Sequence, residues 1–229
     1  MPRIIIALDC SSFRNALDLA RTIRSGTDWV KVGLELFSRC GPDIVTRLKE
    51  MGFKVFLDLK FFDIPNTVSR AVLSSVDMGA DMLTLHSMGG REMVRAAVDA
   101  RNRASSASGR TLLLGVTLLT SMTREDLWWS RQDDPRELVL NLASKSRAWG
   151  LDGCVCSGLE ASDIRTVTDR NFCLVTPGIR TIPASDDQKR VVTPEQAKQA
   201  GANYLVIGRP VTDSPDPEQA LKAIKQRLA

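Results

Sequence analysis

Eight short apolar runs recur along the chain: Arg3 to Leu8 (RIIIAL), Trp29 to Gly33 (WVKVG), Lys54 to Leu59 (KVFLDL), Met82 to His86 (MLTLH), Leu112 to Thr117 (LLLGVT), Gly153 to Ser157 (GCVCS), Phe172 to Thr176 (FCLVT) and Tyr204 to Gly208 (YLVIG). Runs this short and this continuously apolar suit parallel strands covered on both faces, whereas half-exposed antiparallel strands alternate. Helical spacing fills the intervals. Pro65, Val68, Val72 and Val76 place a first-turn proline before an i, i+4, i+8 stripe that Gly79 closes. Three further starts, at Asp134-Pro135, Thr193-Pro194 and Asp216-Pro217, each offer an N-cap side chain, proline at N1 and Glu or Gln at N3, and are read as capping boxes. Gly52, Gly79, Gly150 and Gly201 each stand just before a strand, where a left-handed residue ends a helix.

Strand and helix therefore alternate about eight times over 229 residues, with no break in composition, no Pro/Ser linker and no low-complexity segment. The α/β fold class this predicts is a (β/α)8 TIM barrel, a single domain over 1–229, slightly shorter than the ~250 residues usual for that architecture. A doubly wound open sheet produces the same alternation. Against it, the first run is not followed by G-x-G-x-x-G, and polar residues lie at the ends of many runs instead of clustering at one crevice.

Composition narrows the function. Hydrophobic residues at 43% and charged residues at 25% are ordinary for a soluble folded protein, which sets disorder aside. The net charge of +4 comes from basic residues scattered along the chain, so a nucleic-acid partner is not expected. The apolar stretch at Met1 to Leu8 is too short for a secretory core or a membrane span, which gives the expectation of a cytoplasmic protein without a membrane partner. Cys10, Cys40, Cys154, Cys156 and Cys173 lack C-x-x-C spacing, and His86 is the only histidine, so neither a disulfide framework nor a zinc site is expected. Buried Cys154 and Cys156 would act as small hydrophobes.

Polar residues interrupt the runs mainly at their C-terminal ends: Asp9, Lys31, Asp58 with Lys60, His86, Thr117 to Thr120, Ser157 and Arg209. That rim is where barrel active sites are built, although each residue alone could equally be a solvated loop charge or a helix cap. The densest block is Phe56-Leu57-Asp58-Leu59-Lys60-Phe61-Phe62-Asp63-Ile64-Pro65. Alternation sends Asp58 and Lys60 to one side, and Lys31, ending the preceding run, falls beside them. Burying such charges costs several kcal/mol per ion unless each is paired, so a purely structural cluster would be an expensive arrangement. A Schiff-base lysine must be a neutral amine, whereas Asp58 and Asp63 would hold Lys60 charged, as a proton donor or as a stabiliser of a developing anion. Lys31 acts in the opposite sense, so the residues alone leave both chemistries open.

A second signal lies in Val175-Thr176-Pro177-Gly178-Ile179-Arg180, which leads into a polar loop to Arg190, and in Ile207-Gly208-Arg209-Pro210. Loops after strands 7 and 8 of such barrels often bind phosphate through exposed N–H groups and an Arg fork. The long loop is a candidate lid, with Asp186, Asp187 and Arg190 expected to face solvent. Trp128 and Trp129 are expected to cap the barrel or a subunit contact, His86 to be a hydrogen-bonded rim residue, and Met78, Met82 and Met88 to fill core space.

At Asp58-x-Lys60-x-x-Asp63-Ile64-Pro65 the sequence resembles the orotidine 5′-monophosphate decarboxylase family. D-x-K-x-x-D alone is shared with related phosphate-sugar decarboxylases. The pyrimidine-specific resemblance is carried by Ala7-Leu8-Asp9, Val30-Lys31-Val32-Gly33 with Glu35-Leu36-Phe37, Leu119-Thr120-Ser121, Val155-Cys156-Ser157, Val175 to Arg180, Asp187-Gln188 and Ile207-Gly208-Arg209, over nearly the whole chain. The resemblance implies a cofactor-free barrel homodimer that converts orotidine 5′-monophosphate to UMP without metal, flavin or pyridoxal. It implies that Lys60 delivers the proton to C6, that Asp58 lies beside the departing carboxylate, and that Lys31 pairs with Asp58 and reaches the ribose. It further implies that Asp63, Ile64 and Thr67 come from the partner subunit, that Asp9 holds the ribose and Thr120 the pyrimidine edge, and that Gln188, Gly208 and Arg209 hold the phosphate. Pro177 and Arg180 would stand at the mouth of that loop. Rival readings are a magnesium-dependent lyase of a keto-sugar phosphate, a Schiff-base aldolase and a non-catalytic nucleotide-binding scaffold.

Overall fold

All eight apolar runs become parallel strands. In chain order the elements are β1 (Arg3–Ala7), α1 (Phe13–Ile23), β2 (Trp29–Gly33), α2 (Leu34–Cys40), α3 (Asp43–Glu50), β3 (Lys54–Phe61), α4 (Pro65–Asp77), β4 (Met82–His86), α5 (Gly90–Arg103) and β5 (Leu112–Val116). There follow α6 (Pro135–Ala148), β6 (Gly153–Val155), α7 (Ala161–Val167), β7 (Cys173–Thr176), α8 (Pro194–Gln199), β8 (Tyr204–Ile207), α9 (Arg209–Thr212) and α10 (Pro217–Leu228). The strands pair in sequence order and β8 returns to β1, closing the barrel. The computed structural model describes residues 1–104, 109–128, 130, 134–181 and 190–229. Among these, no helix is long and apolar enough to cross a membrane.

Both faces of each strand are covered, which is why the runs read as continuously apolar. Ile5, Ala7, Trp29, Phe56, Met82, Leu114, Val175, Tyr204 and Val206 fill the barrel interior. Their neighbours Ile4, Ile6, Val30, Val32, Leu57, Leu83, Leu85 and Leu205 pack outward against the helices. The inward side chains give way to Lys31 and Asp58 toward the C-terminal ends of β2 and β3, so alternation alone aims those charges into the mouth of the barrel.

Helix boundaries follow the local chemistry. Val68, Val72 and Val76 are the buried stripe of α4 behind Pro65. The glycines at 52, 79, 150 and 201 take φ of +83°, +84°, +97° and +89°, as helix-ending residues should. Of the three expected capping boxes only Thr193 with Gln196 is reciprocal. Asp134 instead caps the Arg136 amide, and Asp216 caps the Gln219 amide. Cys154 and Cys156 are buried in the apolar layer behind β6, in keeping with their expected behaviour as small hydrophobes.

Candidate active site

The ends of β1, β2 and β3 bring four charges together. Lys31 Nζ lies 3.0 Å from Asp9 Oδ1 and 3.8 Å from Asp58 Oδ2, while Lys60 Nζ donates to the same Asp58 Oδ2 at 2.9 Å. Asp58 is 13% exposed, so its charge is largely removed from water and is offset by two ammonium groups. Gly33 makes room for this arrangement: a Cβ there would sit 2.9 Å from Lys31 Nζ.

Lys60 reaches its position through an irregularity. Leu57 pairs with Leu83 and Phe61 with Leu85, so Asp58, Leu59 and Lys60 together oppose Thr84 alone. Lys60 is the one non-glycine among the described residues with positive φ, at +52°. A left-handed backbone at such a residue costs roughly 1–2 kcal/mol. Thr84 Oγ1 accepts from Lys60 N at 2.9 Å and donates to Asp58 Oδ1 at 2.9 Å. The bond to the Asp58 carboxylate contributes about 1.5–3 kcal/mol, enough to offset that strain. A lone hydroxyl inside the apolar run MLTLH was the signal for Thr84 in the sequence, and alternation about Met82 turns it inward.

A cavity of about 480 Å³ opens at this end of the barrel. Asp9, Lys31, Asp58, Lys60 and Thr120 line it, with Ala7, Phe56, Val155 and Val206 as an apolar floor. Pro177, Gly178, Arg180, Gly208 and Arg209, from the loops after β7 and β8, form the remaining wall. Thr212 and Asp213, which the sequence did not single out, also reach it. The cavity thus joins a charge-balanced cluster of Lys31, Lys60, Asp9 and Asp58 to a wall carrying two guanidinium groups. Depressions at the opposite end of the barrel, such as one lined by Arg3, Asp28, Trp29, Lys54 and Lys225, lie away from the C-terminal strand ends. Among the described residues no three His, Cys, Asp or Glu side chains are placed to hold a metal ion.

Three expected site residues do not line the cavity of this chain. Asp63, Ile64 and Thr67 lie on the outer surface where β3 leads into α4, beside Phe62, with Ile64 67% and Phe62 60% exposed. Asp63 Oδ1 accepts from the Ile64 amide at 2.7 Å. Gln188, with Asp186 and Asp187, lies outside the described residues, as does Trp129. Trp128 is 87% exposed and therefore does not cap the barrel.

Arg190 is not a solvent-facing charge. Its guanidinium pairs with Glu160 and donates to the carbonyls of Leu119 at 2.9 Å and Thr120 at 3.4 Å. Glu160 is buried, also accepts from the Ser157 amide at 3.1 Å, and has its carboxyl pKa pushed up by burial against the opposing pull of Arg190. This cluster ties the loops after β5, β6 and β7 together. Nothing in the spacing of Glu160 and Arg190 announces it, because it joins separate loops. His86 departs from expectation too: its Nδ1 is buried without a hydrogen-bond partner among the described residues, and the ring lies 5.5 Å from that of Phe62. Burial, helped by the charge of Lys60, lowers its pKa, with Asp58 opposing.

A closed parallel barrel with an ammonium–carboxylate cluster and an Arg-lined wall at its C-terminal mouth defines a barrel enzyme. A profile of the "Orotidine 5'-phosphate decarboxylase / HUMPS family" matches residues 2–224. The chain is 49% identical over 224 residues to the orotidine 5'-phosphate decarboxylase of Maridesulfovibrio salexigens, covering 98% of this chain and 97% of that one. It is 47% identical over 230 residues to that of Nitrosomonas europaea, covering 100% and 97%. The crystal structure of orotidine 5'-phosphate decarboxylase from Lactobacillus acidophilus superimposes with a TM-score of 0.85 at 35% identity, covering 99% and 98%. The chain belongs to the orotidine 5'-phosphate decarboxylase / HUMPS family.

Proposed function

We propose that this enzyme decarboxylates orotidine 5′-monophosphate to UMP, the last step of pyrimidine nucleotide synthesis, with Lys60 as the proton donor and without a cofactor. The observation that carries the reading is the Lys60 ammonium held 2.9 Å from Asp58 inside a cavity whose other wall presents Arg180 and Arg209. The two guanidinium groups beside the turns at Gly178 and Gly208 suit a phosphate dianion. The apolar floor suits a flat base, and Asp9 with Lys31 suits the ribose hydroxyls.

In the proposed step the bond from C6 to the carboxylate breaks, carbon dioxide leaves, and the electron pair remains on C6. A proton from Lys60 Nζ then forms the C6–H bond of UMP, and the neutral amine recovers its proton from solvent. Lys60 grows more favourable as negative charge gathers on carbon, which is differential binding of the transition state. Asp58 set about 4 Å from the substrate carboxylate would repel it by about 4 kcal/mol at an effective dielectric near 20, and that repulsion disappears as carbon dioxide departs. Phosphate contacts remote from C6 supply binding energy for ordering the site around it.

In the same reading a second copy of this chain contributes Asp63, Ile64 and Thr67. The exposed Phe62 and Ile64 support this, since they flank Asp63 with apolar surface that a partner would cover. The test is ultraviolet detection of orotidine monophosphate loss by the parent protein and by Lys60→Ala, each with and without EDTA. Turnover that survives EDTA and vanishes in Lys60→Ala, with UMP binding retained, is the expected result. Loss with EDTA would point to the magnesium-dependent lyase, and borohydride trapping on Lys60 to a Schiff base.

A further inference from the structure

Strand β4 is apolar on both faces until Thr84, which is fully buried. We propose that Thr84 is a positioning residue for the reaction: its one hydroxyl fixes both the backbone that aims the Lys60 ammonium and the carboxylate that faces it. The assignment rests on the reading of Lys60 and Asp58 above.

The direction of both hydrogen bonds is set by chemistry. The Lys60 N–H can only donate and an ionised Asp58 can only accept, so the hydroxyl proton must point at Asp58 Oδ1 while a lone pair receives the Lys60 amide. The buried Ser87–Ser146 hydroxyl pair has no such constraint, since either atom there can donate. Asp58 is consequently gripped at both oxygens: Oδ1 by Thr84, Oδ2 by Lys60 with Lys31 behind it. Its carboxylate cannot turn without breaking one set of contacts. The Lys60 amide, at the left-handed corner of the bulge, donates to the Thr84 hydroxyl oxygen. Thr84 thereby sets the distance between the two charged groups from behind, without lining the cavity itself. Proton transfer and charge stabilisation depend steeply on such placement.

A purely structural hydroxyl would matter for stability and leave the chemical step alone. A positioning hydroxyl must instead separate kcat from KM, because the Arg180 and Arg209 wall that suits the phosphate is built from the loops after β7 and β8 and not from β4. Thr84→Val keeps the shape and removes the hydroxyl, whereas Thr84→Ser keeps the hydroxyl. With Thr84→Val, kcat for orotidine monophosphate is expected to fall by about 30- to 100-fold with KM within about threefold of the parent, and Thr84→Ser to restore kcat to within about threefold. Should Thr84→Val not fold, Thr84→Cys carries the same comparison, since it retains only a weak donor.

A folded Thr84→Val or Thr84→Cys with the parent's kcat overturns the assignment. So does a Thr84→Ser that loses as much as Thr84→Val. Lys60→Ala assayed in parallel separates the two levels of inference. If Lys60→Ala turns over, the reading of Lys60 fails and the role of Thr84 falls with it; if Lys60→Ala is inactive while Thr84→Val matches the parent, only the role of Thr84 is lost.

Discussion

Arg190 Nη2 holds the carbonyl oxygen of Leu119 at 2.9 Å, joining the end of the loop after β7 to the loop that carries Thr120 into the cavity. The same guanidinium neutralises buried Glu160. Arg190→Ala is therefore expected to leave a carboxylate in the interior without its counter-charge, at about 3 kcal/mol of unfolding free energy. It should also lower kcat/KM by about tenfold through the loosened loops. Denaturant unfolding checks the first, and adding Glu160→Gln should recover part of the loss. Unchanged stability in Arg190→Ala would show that Glu160 is solvated once the arginine is gone.

Arg209 lies on the cavity wall that the loops after β7 and β8 build, and in the proposed reading it contributes to binding. Arg209→Ala should raise KM by about 10- to 100-fold and leave kcat within about threefold. Steady-state kinetics at two salt concentrations measures this, with the parent's KM rising more steeply with salt than that of the variant.

If Asp63 acts across an interface, mixing inactive Lys60→Ala and Asp63→Ala proteins creates hybrid dimers with one intact site. Recovery of up to about a quarter of parental activity per site is the statistical expectation for random subunit exchange. Native mass spectrometry can establish that exchange has occurred; absence of recovery after confirmed exchange would place Asp63 outside the site.

His86 is the only histidine, so its ring signals can be followed by proton NMR without assignment. Burial and Lys60 depress its pKa, so the titration midpoint should fall below 6.5. Below about pH 6.5 the unfolded chain takes up a proton that the folded chain refuses, so stability declines as pH drops through the window beneath the unfolded value and is unaffected above it. Unfolding free energies measured from pH 7 to pH 5 should show this decline, and His86→Gln should flatten it. A midpoint above 6.5 would contradict the burial of the ring.

Much of this architecture is legible in the chain. The eight runs are covered on two sides, so they read as uniformly apolar, and their polar ends mark the mouth of the barrel. Asp58, Lys60 and Lys31 could be grouped because strand alternation and the pairing of successive strands are local rules. The bulge was not legible: D-L-K reads as ordinary alternation, and only its pairing with β4 reveals that three residues stand against Thr84. A polar loop predicts a solvent-facing Arg190, yet its partners come from two other loops, about 30 and 70 residues away. Trp128, expected to cap the barrel or a subunit contact, is almost fully exposed in the single chain, which rules out only the first of these.

The interior of the barrel has a consequence for how the enzyme empties. Beneath the cavity floor, Ile5, Met82 and Leu114 fill the lumen, and Trp29 and Tyr204 meet edge to face at 5.3 Å near the far end. The pocket is a cul-de-sac. In the proposed reaction the gas released at C6 has no rear exit and must escape past the nucleotide through the entrance that admitted it. In that reading carbon dioxide formed while the mouth is still occupied would be able to recombine with the carbanion, and prompt quenching by a Lys60 proton would make the forward step irreversible before the doorway clears.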